Sequence, residues 1–271
     1  MKSILITGCT DGIGKLATVQ LAKAGHKLIL VARNEAKLKK LKDELNTQSE
    51  NIQSIICDLS IIKSLQIIPE YLERHNISLD IIINNAGVFI TKETKTNEGL
   101  DYRFAVNYIA PYWLTKKLLP FLDKSDDKRI INLSSAAQET VSIPALRGQT
   151  TLSTQLSYAQ SKLALTMWSF DLGQKLNNTA VIPVNPGSLL NTPMVQEAYG
   201  RYWSPASKGG DILYALATGD QYSQVTGKYF DNDLGDKVGQ FGQAHNDAYN
   251  PQLIAELLSA TDEVLQNTIG E

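Results

Sequence analysis

Tyr158 and Lys162 stand four residues apart in YAQSK, at the head of the apolar run LALTMW. On a helix, positions i and i+4 lie on one face, one above the other. A free phenol has a pKa of about 10, so it is a poor base at neutral pH. A cation beside it favours the phenolate. Lowering that pKa to about 7–8 takes roughly 3–4 kcal/mol of preferential stabilisation of the anion. With that help a tyrosine can give a proton to a carbonyl oxygen or take one from an alcohol. A solvent-facing pair has the same spacing, so the rest of the chain must decide.

A second site of chemistry lies at the start. TGCTDGIG, Thr7 to Gly14, follows the apolar run SILIT and precedes a helical pattern. Glycines between a strand and a helix let the backbone approach a pyrophosphate, and the helix N-terminus adds N–H donors. Gly8, Thr10, Asp11, Gly12 and Ile13 are therefore candidate dinucleotide contacts. In such sites an acidic residue about 20 positions on grips the ribose 2′-hydroxyl, whereas arginine accommodates a 2′-phosphate. Here LILVARN places Arg33 at that point, with no acid until Glu35. A guanidinium forms paired bonds to phosphate and stays charged. NADP(H) is thus the preferred cofactor, with NAD(H) left open. Asp11 weighs the other way, and Lys15 is the basic residue expected near it.

The elements around these residues alternate. Strands are expected at 3–7, 27–32, 52–58, 79–83, 129–134 and 180–185. Helices are expected at 14–24, 35–46, 61–75 (interrupted by Pro69), 99–123 and 156–176. Continuous apolar strands alternating with helices predict an α/β fold: a Rossmann-like, three-layer, doubly wound parallel sheet with helices on both faces. No repeat or linker divides the chain, so a single domain over 1–271 is expected. The polar segment 138–157 and the segment 187–210 break the rhythm. Long irregular stretches in compact domains tend to be functional, and substrate loops are expected at about 138–157 and 188–206.

Lys plus Arg is 26 and Asp plus Glu is 28, a formal net charge of −2. That balance leaves no footprint for nucleic acid. Cys9 and Cys57 have neither pairing nor metal spacing, which fits a reducing compartment. His26, His75 and His245 read as surface or loop residues, and no metal site is expected. No stretch reaches the roughly 18 apolar residues of a membrane span. A cytoplasmic location without a membrane partner follows as the expectation.

TGCTDGIG, NNAG at 84–87, NLSS at 132–135, YAQSK and NPG at 185–187 together resemble, in order and near spacing, the short-chain dehydrogenase/reductases. The resemblance covers about residues 3–192. EGLDYRFAVNYIAPYWLT at 98–115 and GKYFDND at 227–233 are similar to the retinol-dehydrogenase-like and WW-domain-oxidoreductase-like branch. The resemblance implies hydride transfer between a nicotinamide and a small-molecule carbonyl or alcohol. It makes Tyr158 the acid/base residue, Lys162 its partner and a ribose ligand, Ser135 the group that orients the carbonyl, and Asn107 a relay residue. Ser135 is preferred to Ser134 because two small residues, Ala136 and Ala137, follow it. It adds Asp58 and Leu59 near the adenine, Asn85, Ala86 and Gly87 beside the cofactor, and Pro186 and Gly187 after the sixth strand. Thr192 lies one position later than the family's usual threonine. Family habit implies a homodimer or homotetramer, with helices near 100–123 and 156–176 pairing across a two-fold axis. The rival reading is a non-catalytic, NADP(H)-binding redox sensor. An S-x-x-K match at Ser60–Lys63 lacks the K-T-G of serine transpeptidases.

Overall fold

The computed structural model describes residues 1–46, 51–122, 124–235 and 238–270. The strands are β1 Ser3–Thr7, β2 Lys27–Ala32, β3 Ile52–Ile56, β4 Ile81–Asn84, β5 Lys128–Leu133, β6 Thr179–Asn185, β7 Tyr229–Asp231 and β8 Gln240–Gly242. The helices are α1 Gly12–Lys23, α2 Glu35–Asn46, α3 Ile67–Arg74, α4 Tyr102–Phe104, α5 Ala110–Leu122, α6 Ile143–Leu146, α7 Thr154–Lys175, α8 Pro193–Tyr199, α9 Ala206–Thr218 and α10 Pro251–Ile269.

One sheet runs in the order β3-β2-β1-β4-β5-β6-β7-β8. The first seven strands are parallel and β8 is antiparallel to β7. The expected parallel sheet is therefore extended by an edge strand of the other sense. The strand order reverses between β1 and β4, and ligands of such sheets bind beyond the carboxyl ends at that switch point. Isoleucine, leucine and valine fill β1, β4 and β6 because both faces are covered. One core packs α1, α2 and α9 on one face through Leu21, Leu38, Leu41 and Leu213. The other packs α3, α5, α7 and α10 through Leu72, Leu114, Trp168 and Leu257.

Several expectations change in detail. β3 stops at Ile56, and Pro69 sits in the first turn of α3, where its missing N–H costs no hydrogen bond. The helix expected over 99–123 contains a π-helical segment, Ala105–Ile109, centred on Asn107. The segment 138–157 holds the short α6, and 187–210 holds α8, which Thr192 caps by accepting from Val195 N–H. His26 is a correction: it is buried, and its Nδ1 accepts from the Lys2 amide. Desolvation holds its pKa below the ordinary value.

The C-terminal helix α10 starts at Pro251, with Asn250 capping Gln252 and Leu253 N–H groups. It lies on the side where a second copy was expected to pair. Tyr108 Oη and Thr261 Oγ1 are hydrogen-bonded at 2.8 Å, and Tyr112 Oη donates to Asp262 at 2.8 Å. Helix α7 is thereby buried on nearly every side from Gln160 to Phe170, which is why its apolar residues show no single face. No described helix is long and apolar enough to cross a membrane.

Candidate active site

The motif residues gather at the carboxyl ends of β1, β4, β5 and β6. Gly8 closes on the NNAG turn: a Cβ there would meet Ala86 Cα at 2.7 Å. Gly14 is equally tight, since a Cβ would lie 2.2 Å from Asn85 Nδ2. These two glycines bring chain segments together. Asn85 fastens the contact by donating to the Thr7 and Gly8 carbonyls at 2.8 and 2.9 Å. The Thr7 hydroxyl accepts from the Asn85 and Ala86 amides. Gly12 has φ +53°, a left-handed conformation that opens α1. Its neighbour Asp11 occupies the N-cap without capping. Its carboxylate instead pairs with Lys37 at 2.7 Å. Lys15, the expected basic neighbour, pairs with Glu44. Lys37 is thus the cation beside the glycine loop, and its distance in sequence concealed it.

This cradle fits a dinucleotide. The first N–H groups of α1 receive no side-chain cap, so they are available to an anion. Arg33 is exposed at the end of β2. No ion pair holds it among the described residues. Ile13 packs against Gly209 and offers the loop its backbone. Asp58 is half-buried and folds back on Ser60, accepting from its N–H and Oγ. Leu59 is buried beside it. Pro186 and Gly187 follow β6, and Gly187 adopts φ +119°. The Thr192 methyl faces Gly12 at 3.6 Å from its Cβ position, which puts Thr192 by the glycine loop.

Ser153 caps α7 by accepting from Leu156 N–H, and the helix then carries Tyr158 and Lys162 on one face. Lys162 Nζ lies 5.5 Å from the Tyr158 ring centroid. It donates to the Leu133 carbonyl at 2.7 Å. It also approaches Gly87, 3.4 Å from that residue's Cβ position, as does Asn107 Oδ1. An ammonium has three protons, and among the described residues Lys162 Nζ makes one hydrogen bond, so donors remain for a ribose hydroxyl in this crevice. Ser135, two residues past β5, lies beside the Tyr158 phenol and favours its ionised form. Ser134 is different: it is buried and bonded to Thr166 and the Lys162 carbonyl. The structure therefore brings Ser135, not Ser134, to the phenol.

The electrostatics depart from expectation. Burial pushes the Tyr158 phenol up to about 12; Ser135 beside it opposes this and Tyr199 adds to it. Burial also pushes Lys162 down to about 7. The same burial that opposes the phenolate thus also opposes the ammonium beside it.

The Asn107 side chain is fully engaged. Its Oδ1 accepts from Val88 N–H, and its Nδ2 donates to the Val88 carbonyl and Ser161 Oγ. That uses the amide to fix the turn after β4. A charged brace that sequence reasoning missed does similar work. Buried Arg103 donates Nε to the Phe89 carbonyl at 2.8 Å and faces Asp101 at 3.5 Å. Asp101 accepts from Ser157 Oγ, next to Tyr158. The signal was present: two charges, DYR, at the head of an otherwise apolar helix. Phe89 then packs edge-on against Tyr158 at 4.8 Å and against Tyr199 at 5.6 Å. Tyr199 is half exposed at the mouth.

A family model described as short chain dehydrogenase matches residues 2–202. Retinol dehydrogenase 12 of Mus musculus is 29% identical over 243 residues, covering 84% of this chain and 77% of that protein. Retinol dehydrogenase 13 of Homo sapiens is 30% identical over 254 residues, covering 85% and 76%. Among solved structures, a short chain dehydrogenase of Escherichia coli CFT073 complexed with NADPH has a TM-score of 0.70. It is 26% identical, and the match covers 84% of this chain and 95% of that one.

Proposed function

Because the chain belongs to the short-chain dehydrogenase family, in its retinol-dehydrogenase-like branch, we propose that it uses NADP(H) to interconvert a carbonyl and an alcohol, with Tyr158 as the acid/base residue. The observation that carries this reading is the meeting of Ser135, Tyr158 and Lys162 beside Gly87. When bound, the nicotinamide supplies or accepts the hydride. Ser135 Oγ hydrogen-bonds the substrate oxygen as charge develops on it. Tyr158 Oη delivers the proton to that oxygen in reduction and removes it in oxidation. Lys162 holds a ribose hydroxyl and, when protonated, stabilises the phenolate. Asn107 keeps the Val88 turn in place.

Arg33 takes the 2′-phosphate, and Lys37 offsets Asp11 so that the acid does not repel it. The solved relative that carries NADPH supports this choice. The raised phenol favours reduction: Tyr158 stays protonated through neutral pH. Alcohol oxidation needs the phenolate, so its rate should climb about ten-fold per pH unit below the phenol pKa. Segments 138–157 and 188–206, including Tyr199, form the substrate walls of a single domain. Assembly as a homodimer or homotetramer across α5 and α7 would bring α10 into the interface. Two free buried cysteines support a cytoplasmic setting.

The test is a panel of aldehydes and ketones followed by NADPH absorbance. Relatives named for retinol and polyprenol make isoprenoid aldehydes the first compounds to try. Turnover with at least one compound, faster with NADPH than with NADH, is expected. Binding of NADPH without turnover across the panel would favour the redox-sensor reading.

A further inference from the structure

Tyr229 belongs to GKYFDND at 227–233, a stretch to which no step of the proposed chemistry is assigned, and it is 3% exposed. It opens β7, the strand beyond β6, and its hydroxyl donates to the Ser135 carbonyl at 2.8 Å. Gln138 Nε2 donates to the same carbonyl at 2.9 Å. Gln138 Oε1 in turn accepts from the His245 amide at 3.1 Å. Gln138 and Tyr229 thus converge on one carbonyl oxygen. Within the turn, Ser135 Oγ accepts from the Ala137 amide at 3.1 Å. The turn from Ser135 to Gln138 is therefore gripped from inside by Ala137 and from outside by Tyr229 and the chain after β8.

Resting on the proposed catalytic role of Ser135, we propose that Tyr229 is a positioning residue for it: the Tyr229 hydroxyl fixes the turn that aims Ser135 Oγ at Tyr158 and the substrate oxygen. Ser135 sits two residues past the end of β5, where sheet hydrogen bonds no longer hold the chain. It is half-buried, and Ala136 and Ala137 are exposed and small, so their own packing does little to hold the turn. A misplacement of about 1 Å can lower a rate about 100-fold. A buried phenol on a rigid strand supplies the fixed point. Burial pushes its pKa well up, so it remains a neutral donor. Phenylalanine preserves the ring and its packing and removes only the donor.

The experiment is a double-mutant cycle with Tyr229→Phe and Ser135→Ala, read in single-turnover NADPH oxidation and in NADPH affinity. In the wild-type background Tyr229→Phe should slow turnover about ten-fold and leave NADPH affinity within about two-fold. In the Ser135→Ala background the same substitution should change turnover less than about two-fold. An equal loss in both backgrounds, or no loss in the first, overturns the positioning role. A crystal structure of Tyr229→Phe gives a readout independent of turnover. Displacement of the 135–138 turn is expected, and an unmoved Ser135 overturns the inference. If Ser135→Ala and Tyr158→Phe both leave turnover intact, the catalytic reading has failed instead; the crystal structure still decides whether Tyr229 holds the turn.

Discussion

Residues 2–202 and residues 203–270 contribute to the same site in different ways. The first stretch carries the groups proposed to act on the nucleotide phosphate and at the reacting atoms, Arg33, Ser135, Tyr158 and Lys162. The second carries the supports. Tyr229 holds the Ser135 carbonyl. Asp233 accepts from Ser188 N–H and Oγ and from Asn185 Nδ2, which ties down the loop after Gly187. Asn232 donates to the Pro186 and Lys208 carbonyls. Chemistry depends on residue type at a spacing, so its motifs announce a role. Support depends on a donor or acceptor reaching the right backbone atom, so GKYFDND at 227–233, which holds all three supports, showed a resemblance but no role.

Substitutions in the two stretches should therefore fail differently. A large effect is expected at Lys162. Lys162→Met should lower kcat about 100-fold or more, and it should also stabilise the fold. The wild-type amine titrates at about 7 when folded against an ordinary 10.5. Folding therefore expels a proton between those values, and wild-type stability should rise as pH climbs from 7 to 10.5. Near pH 7 the removed charge penalty amounts to about 1.4 kcal/mol for each pH unit that separates the two values. It is partly offset by about 1–3 kcal/mol for the Leu133 carbonyl left without its donor. A net gain of about 2 kcal/mol should raise Tm by about 4–8 °C. Calorimetry at pH 7 and pH 10 checks both sign and pH dependence. A lower Tm at pH 7 would contradict the account of an amine whose charge burial disfavours.

Arg33→Ala comes next. It should raise the KM for NADPH about 30-fold and leave that for NADH within about two-fold, since a charge-assisted bond contributes about 1.5–3 kcal/mol. Equal changes for both nucleotides would break the assignment of the 2′-phosphate.

The smallest effect belongs to the supporting stretch. Asp233→Asn should raise the nucleotide KM about five-fold with kcat within about two-fold, because an amide cannot accept all the bonds that the carboxylate accepts. Burial pushes the Asp233 carboxyl up, but its bonds to Ser188 and Asn185 and the nearby Lys208 outweigh this and hold it below the ordinary value. The tether should thus persist at neutral pH and weaken only as pH falls through that lowered value. A loss of kcat larger than the change in KM would erase the distinction between the two stretches.

The sequence was most informative where apolar periodicity and motif spacing agreed. The first six strands and the helices beside them stand close to their expected places. The three-residue strands β7 and β8 fall below the length at which alternation is visible. Helix α8 is only seven residues long and sits between turn signals. Helix α10 has an ordinary amphipathic pattern after a proline, but its seat against Tyr108 and Tyr112 is a tertiary fact. The site residues were legible because glycine, tyrosine and lysine were forced into fixed offsets. The direction of the Tyr158 shift was not legible, since it depends on how completely Phe89 and its other neighbours desolvate the phenol. Lys37 and Arg103 were missed for a similar reason: each acts on a partner that only folding brings near.

The most direct measurement is single-turnover NADPH oxidation by Tyr158→Phe, with NADPH affinity determined in parallel. Hydride transfer should fall by at least about 1,000-fold while the nucleotide still binds within about three-fold of the parent protein. A rate within about ten-fold of the parent, at unchanged affinity, would contradict Tyr158 as the proton donor.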